Sequence, residues 1–573
     1  MSKRVVIVGG VAGGMSCAAR LKRLDVCLEV TVFERGGDVS FANCGMPYYI
    51  GGVIPDRAML HVQTDMGLRR RYAIDVRTRH EVIAVDRAAK CVTVKNLLTG
   101  ETFTQPYDAL VLATGAAPVR PPIPGVDRPN VFILNNLADM DAIAAAAGAS
   151  RRACVIGAGY IGLELAENLR HRGLQVAVVE MLTHVLPRLD AEMARPLAQE
   201  LRMNGVELRL GETVTAIEDA HVVLKSGERI ECDMVCLCVG VRPNSALARD
   251  AGLTVDDRGY IRVDERLRTS DPAIYAIGDV IAAADFVTGA PTPMPLAGPA
   301  NRQGRIVADN IAGRVSVYPG AQGTSIIKVF NLAAAHFGMN EAQARAAGLD
   351  YRRAYLHPPQ HPRYYPGAAP IGVKLIFNTQ GRILGAQVVG PEGVESLVNV
   401  LATAQRAGLS VEDLEYLELA YSPQWGGAKH PVNMIGFVAS NILHGDVETV
   451  EPDAEHADIF WLDVREPEET KAGMVPGATI IPLDTLRARC AELPKDRTIG
   501  VYCAIGLRGY IAYRFLKQQG FRVLNLNGGF RSWCWAGNAV AGASPPAAKC
   551  LCDSAQREEA PGSVTPSAPE KSA

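Results

Sequence analysis

The chain has 573 residues, 48% hydrophobic and 21% charged, with 59 Lys and Arg against 61 Asp and Glu and a formal net charge of -2. At roughly 150 residues per domain, this length predicts about four domains with ordinary globular cores. The balanced charge argues against a basic nucleic-acid face or an acidic solvating block, so the expected partners are small molecules and not nucleic acid. No apolar run reaches the roughly 18 residues of a membrane span, and the stretch before Gly9 is too short for a signal peptide. A cytoplasmic protein with no membrane partner is expected. The 13 cysteines show no zinc-knuckle spacing, so no metal is predicted, and a disulfide framework is not expected in a reducing compartment. Cys17, Cys27, Cys154, Cys232, Cys236 and Cys238 lie in or beside apolar runs and read as small core residues.

In chain order, the first pattern is a strand at Arg4–Val8, a glycine turn at Gly9–Gly14 and a helix to Leu24. It returns as a strand at Ala153–Ile156, a turn at Gly157–Gly162 and a helix to Arg172. Gly9 and Gly157 stand 148 positions apart, which predicts two nested Rossmann-like α/β domains. Gly157, Gly159 and Gly162 complete the dinucleotide fingerprint, whose glycines permit a tight turn, close approach of a pyrophosphate and helix packing. Glu180 ends the next strand, where a carboxylate accepts from a ribose 2′-OH and repels a 2′-phosphate. NADH is therefore expected over NADPH, although a cation from elsewhere in the chain would make NADPH possible.

The first turn departs from the fingerprint, because Val11 stands in place of the second glycine. Gly9, Gly10 and Gly14 remain, and Glu34, followed by Arg35, ends the strand beyond. Leu112-Ala113-Thr114-Gly115 and Ile274–Asp279, which includes Gly278, follow further apolar strands. Together these stretches resemble the motifs of flavoproteins with two dinucleotide-binding domains. The resemblance implies FAD, with Asp279 on its ribityl chain and Gly240 and Ala297 among the cofactor contacts.

Ser40–Gly52 carries Cys44 after the FAD-ribose strand. A second cysteine five residues on would allow a local disulfide, but that position is Tyr49. A lone thiol must instead hold oxidised sulfur as a mixed disulfide, a persulfide or a sulfenic acid. The segment resembles the single-cysteine branch of the pyridine nucleotide-disulfide reductase family, that is, coenzyme A-disulfide reductases with NADH oxidases and peroxidases as relatives. The resemblance implies hydride transfer from NADH to FAD and on to sulfur at Cys44, whose thiolate would be stabilised beside the flavin. It also implies coenzyme A as substrate or bound thiol, with Ser40 and Asn43 near it and Arg20 and Arg23 as candidates for its phosphates. Tyr365 and Tyr421 match tyrosines that approach the redox cysteine from a partner subunit, which implies a homodimer; Tyr364 is the alternative to Tyr365.

Residues 323–443 read as an α+β interface domain, with strands at Gly372–Phe377 and Ile383–Val389 and helices at Val394–Ala407 and Val432–Leu443. Residues 444–452 read as a linker. Residues 453–542 form an α/β pattern with a strand at Ile499–Cys503 and a helix to Gln519. Leu462–Glu466, Val475–Ala478, Tyr502-Cys503 and Leu526–Phe530 resemble the ordered motifs of a rhodanese domain. The loop from Cys503 to Arg508 points backbone N–H groups inward and suits a thiolate or persulfide. The tail 543–573, with Cys550 and Cys552, is expected to be disordered. The remaining boundaries are 1–150 with 253–322 for FAD and 151–252 for NAD. Two other readings stay open: an NADH oxidase or peroxidase using a Cys44 sulfenic acid, and a flavin-containing redox sensor or sulfur carrier.

Overall fold

Short apolar runs rich in Val, Ile and Leu build the parallel sheets, and glycine turns follow the first strand of each nucleotide fold. The computed structural model describes residues 2–455 and 458–542, so the tail 543–573 lies outside the described residues. The chain divides into two compact units. One holds residues 1–350 with 384–387 and 401–408; the other holds 351–383, 388–400 and 409 onward.

In the first unit, one sheet runs Ile274–Ala276, Ala109–Leu112, Arg4–Val8, Glu29–Glu34 and Asp75–Thr78, all parallel. The helix Ala12–Leu24 packs on the helix Ala297–Ile311. Their close approach depends on Gly304, where a Cβ would come within 2.4 Å of the Gly13 carbonyl oxygen. The second sheet runs Val206–Leu210, Gln175–Glu180, Arg152–Ile156, Met234–Leu237 and Val131–Ile133, also parallel. Val131–Ile133 belongs to this sheet, so the first boundary falls well before residue 150. That strand is only three residues long, too short to show a period, and its place is set by pairing with Val235–Leu237.

The second unit contains the antiparallel pair Arg352–Leu356 and Gly372–Phe377, the helix Pro431–Leu443 and a further parallel sheet. That sheet runs Thr449–Val450, Val523–Leu526, Thr498–Tyr502, Ile459–Asp463 and Thr479–Ile480. The expected linker is therefore not free chain. Thr449 and Val450 add an edge strand beside Asn525 and Leu526, and Glu448 and Asp446 pair with Lys517 and Arg514. Two apolar-compatible residues among charges give no periodic signal, which is why the sequence reads as a linker there.

This sheet is also fastened to the antiparallel pair. Asn527, 2% exposed, donates to the Arg353 carbonyl oxygen and to Glu451, and its Oδ1 accepts from the Tyr355 N–H. Arg353 pairs with Glu451 and Asp453. His357 accepts or donates at 2.8 Å with Ser532 and meets the Trp535 ring edge-on at 4.8 Å. Gly372 makes room for that indole, since a Cβ there would lie 2.2 Å from it. Replacing Asn527 with Ala removes a partner from two backbone groups and from the half-buried Glu451, which keeps Arg353 and Thr449. We expect Asn527→Ala to destabilise this unit by about 3 kcal/mol, read as earlier thermal unfolding followed by tryptophan fluorescence.

Candidate active site

The two glycine turns are built alike. Gly9 and Gly157 have φ of +108° and +104°, and a Cβ on either would come within 2.4 Å of a carbonyl oxygen on the neighbouring strand's end, Ala113 or Cys238. Gly14 and Gly162 approach the carbonyl oxygens of Gly9 and Gly157 just as closely, 2.0 Å from a would-be Cβ. Each turn is then held by the carboxylate that ends the second strand. Glu34 accepts from the N–H groups of Gly10 and Gly36 at 2.8 and 2.7 Å, and Glu180 from those of Ala158 and Leu182 at 2.7 and 2.9 Å. Each carboxylate oxygen keeps lone-pair capacity for a ribose hydroxyl. At Gly159 no atom lies within 4 Å of a would-be Cβ, leaving space at the turn for a phosphate.

Helix ends give a second test of the fit. The helices Ala12–Leu24, Tyr160–His171 and Ala297–Ile311 begin with no side-chain cap. By contrast, the helices at Asp65–Tyr72, Leu137–Ala149 and Glu341–Ala346 are capped by Thr64, Asn136 and Asn340. Uncapped N–H groups at a glycine turn are a ready site for phosphate. Asp279, in a 3-10 turn packed against the third helix, has its carboxyl pushed up by burial to about 6. A carboxyl so placed suits a hydroxyl partner such as a ribityl chain. Thr114 and Gly115 are tied to Asn244: Thr114 Oγ1 donates to its carbonyl oxygen, and its own amide groups donate to the carbonyl oxygens of both residues. Asn244 had no motif of its own to mark it. Gly240, at φ +105°, sits on the same connection, where its carbonyl oxygen accepts from the Val119 N–H. Ala297 is the exposed first residue of its helix, and Arg35 is exposed beside Glu34. The residues present fit both FAD and a nicotinamide dinucleotide.

Cys44 lies in a 3-10 turn, Asn43–Gly45, immediately before the short helix Met46–Ile50. That helix packs on the fingerprint helix Tyr160–His171 and on Leu137–Ala149. Gly51 permits the contact, since a Cβ there would collide with Asn168, and Arg172 donates to the Ile50 carbonyl oxygen. The redox turn is thus pinned to the helix that begins at the second nucleotide turn. Ser40, ahead of it, has φ +49°, a strained conformation for a residue with a Cβ. Its carbonyl oxygen accepts from the Val62 N–H. Asn43 and Cys44 are exposed at the surface of the turn.

The structure identifies groups here that sequence reading did not. Protein atoms behind the Cys44 sulfur desolvate it, and Glu164 adds negative charge, so its thiol is raised above the ordinary value. The chain alone therefore disfavours the Cys44 thiolate. Burial pushes Glu164 up to about 7, with Glu167 adding to the effect. Tyr48 reaches Glu164 at 3.4 Å and is itself pushed up to about 12, chiefly by burial. Near neutral pH, Glu164 can hold or release a proton beside the sulfur. Tyr160, first in the fingerprint helix, bonds Ser325 at 2.7 Å, which in turn meets His336 at 2.9 Å. Burial holds His336 neutral, with its pKa down at about 3. A carboxylate one turn into a dinucleotide helix was the only available signal for Glu164, and it is a weak one.

Other expected residues divide. Arg20 is not a free phosphate contact, because its guanidinium pairs with Asp309 at 2.9 Å. Arg23 is exposed. Cys27 is exposed in a turn rather than buried, because the helix has already ended at Leu24; Cys17, Cys154, Cys232 and Cys236 are buried, and Cys238 is half-buried. In the second unit, Tyr421 and Tyr364 are exposed, and the Tyr365 ring packs edge-on against His361 at 5.5 Å.

Also in the second unit, Cys503 ends the strand Thr498–Tyr502 and opens the loop to Arg508. Its sulfur is buried and accepts from the Gly506 N–H at 3.2 Å, and the helix Leu507–Gln518 starts there without a side-chain cap. Gly529, at φ +68°, lets a second loop close over it, with the Phe530 N–H donating to the Cys503 carbonyl oxygen. Arg508 interacts with the Cys503 sulfur, yet both its terminal nitrogens donate to Glu469 at 2.7 Å. That carboxylate was not anticipated.

A core of two nucleotide turns, with an exposed cysteine on the turn beside the second and a separate cysteine loop, defines the class. Residues 3–304 match the pyridine nucleotide-disulphide oxidoreductase family, residues 324–429 its dimerisation domain and residues 447–536 the rhodanese-like domain. The chain belongs to the pyridine nucleotide-disulphide oxidoreductase family, and it binds FAD and NAD(H) as that family does. It is 35% identical over 444 residues to the coenzyme A disulfide reductase of Staphylococcus haemolyticus, covering 77% of this chain and 100% of the relative. Among solved structures, it superposes on the reduced CoADR-RHD of Bacillus anthracis with a TM-score of 0.92 at 46% identity, covering 94% and 98% of the two chains. It also resembles the NAD-dependent persulfide reductase of A. fulgidus, with a TM-score of 0.88 at 39% identity over 92% and 100%.

At the pH where Cys44 titrates, Glu164 is already ionised and opposes the thiolate. Glu164→Gln should therefore lower the Cys44 pKa by roughly half to one unit, seen as a matching downward shift in the midpoint of the pH profile of Cys44 alkylation.

Proposed function

We propose that this chain is an FAD-dependent oxidoreductase that uses NADH to reduce the sulfur–sulfur bond of coenzyme A persulfide, polysulfide or coenzyme A disulfide, with Cys503 handling sulfur. One observation carries the reading: a lone exposed thiol, Cys44, on a turn pinned to the nucleotide helix, in the same chain as the Cys503 loop. FAD, when bound, supplies the two-electron link between NADH and sulfur. Gly9, Gly10, Gly14, Glu34, Thr114, Gly115, Gly278, Asp279 and Ala297 would hold it; Gly157, Gly159, Gly162, Glu180 and Gly240 would hold the nicotinamide dinucleotide. Cys44 attacks the substrate disulfide or persulfide and keeps one sulfur as a mixed disulfide or persulfide, which is then cleaved reductively. Glu164 and Tyr48 manage a proton beside it. Ser40 and Asn43 flank the substrate thiol.

The similarity to the dimerisation domain supports a homodimer in which Tyr365 and Tyr421 of the second copy serve as proton donors. The fused Cys503 loop counts against an oxidase or peroxidase, since oxygen chemistry has no use for a second sulfur centre. Fast turnover of NADH with a sulfur acceptor would separate the enzyme from a sensor. A steady-state comparison of coenzyme A persulfide, polysulfide, coenzyme A disulfide and O₂ tests the acceptor directly.

Cys44→Ser should retain FAD, read from its visible spectrum, and lose at least about a hundredfold in sulfur–sulfur reduction. Wild-type turnover by this variant would remove Cys44 from the mechanism. Glu180 is buried and committed to the turn, with Met181 rather than a cation next to it. A 2′-phosphate there meets a like charge, so kcat/KM should favour NADH over NADPH by roughly a hundredfold; equal efficiency with both would overturn the assignment of Glu180.

A further inference from the structure

The charged groups around Cys503 pair off among themselves. Arg465 is 2% exposed and spends its donors on Asp463, at 2.6 to 3.0 Å, and on the Gly473 carbonyl oxygen at 2.8 Å. Arg508, the loop's own cation, is held bidentately by Glu469 at 2.7 Å on both sides. Its guanidinium is correspondingly driven above the ordinary arginine range, first by Glu469 and only then by Cys503. Two acids thus offset two bases before the cysteine ionises. Negative charge on sulfur meets the Gly506 N–H at 3.2 Å, the start of the Leu507–Gln518 helix and an Arg508 guanidinium already shared with Glu469. Such a site suits about one negative charge. Beside it the surface is apolar: Leu507 and Ile511, one turn apart on that helix, are 63% and 44% exposed.

From these observations we propose that the Glu469–Arg508 pair is a donor filter for the Cys503 loop, admitting the persulfide of an alkyl thiol and turning away inorganic thiosulfate. The inference rests on the reading of Cys503 as a sulfur acceptor and adds the class of donor. Thiosulfate brings two negative charges to a thiolate and must depart as sulfite, so it needs a free cation; here the cation is already neutralised by Glu469. The persulfide R–S–S–H of an uncharged alkyl thiol brings no more than one charge, and its alkyl arm finds Leu507. In the step, the Cys503 thiolate attacks the terminal sulfur of R–S–S–H. A Cys503 sulfur–sulfur bond forms, the donor's sulfur–sulfur bond breaks, and the electron pair leaves with R–S⁻. Cys503 becomes Cys–S–S–H with the donor's proton, and no outside oxidant or reductant takes part.

The test uses the full-length, FAD-loaded protein without NADH, so that the reductive chemistry is silent. Formation of the Cys503 persulfide is followed by mass spectrometry with two probes, thiosulfate and the persulfide of 2-mercaptoethanol, whose organic part is uncharged. The wild type should react at least about a hundredfold faster with the persulfide. Glu469→Gln should speed the thiosulfate reaction roughly tenfold while changing the persulfide reaction less than about threefold. Glu469→Asp, which keeps the carboxylate, should retain the wild-type preference. Raised salt, which screens charge, should narrow the wild-type gap. An unchanged donor ratio in Glu469→Gln overturns the filter. So does an equal loss with both donors, which would make Glu469 only a brace for the loop. A wild type that prefers thiosulfate also overturns it, while leaving Cys503 a sulfur acceptor. A wild type that reacts with neither probe overturns the filter and the acceptor reading together.

Discussion

The carboxylate that ends the second strand of each nucleotide fold, and the glycine turn it grips, is the constraint from which the rest of the first unit follows. Gly9 and Gly157 can take their positive φ, and stand against a neighbouring carbonyl oxygen, only because they lack a Cβ. Glu34 and Glu180 then tie the turn's N–H groups to the next strand. This fixes where each helix begins and leaves its first N–H groups uncapped, which turns a helix start into an anion site. Because both copies obey the same geometry, the nucleotide ends of the two sheets can serve one redox turn between them.

That redox turn depends on packing more than on local sequence. The helix behind Cys44 is only five residues long and could not persist alone. It persists because Gly51 and Asn168 let it lie against the fingerprint helix. The same contact brings Glu164 and Tyr48 beside the sulfur and raises all three pKa values by burial and mutual charge. The protein alone therefore keeps Cys44 a thiol. A reactive thiolate at this position needs charge stabilisation beyond what these neighbours supply.

The second unit solves a different problem, that of holding a sulfur site still. Thr449 and Val450 extend the sheet, and Asn527, Arg353, Glu451 and the His357–Trp535 contact seat that sheet on the antiparallel pair. A buried network of this kind is costly to break, since each partner left behind is a desolvated polar group. Cys503 consequently sits on a fixed body within its unit.

The sequence by itself determined the two nucleotide folds, the isolated Cys44 with Tyr49 after it, and the Cys503–Arg508 loop. Each is a local pattern in which residue type and spacing already state the physics: glycines where no Cβ fits, a carboxylate at a strand end, a cysteine before a helix start. Tertiary structure decided what lies between such patterns. It moved Val131–Ile133 into the second sheet and drew the supposed linker into the last one, because strands of two or three residues are chosen by their partners and carry no period of their own. It paired Arg20 with Asp309 and left Cys27 in solvent. It also supplied Glu164, Asn244 and Glu469, each more than 30 residues from the group it acts on. Charges and hydrogen bonds act through space, so a partner distant in the chain leaves no mark in local sequence, and only the packed fold reveals which charge a sulfur meets.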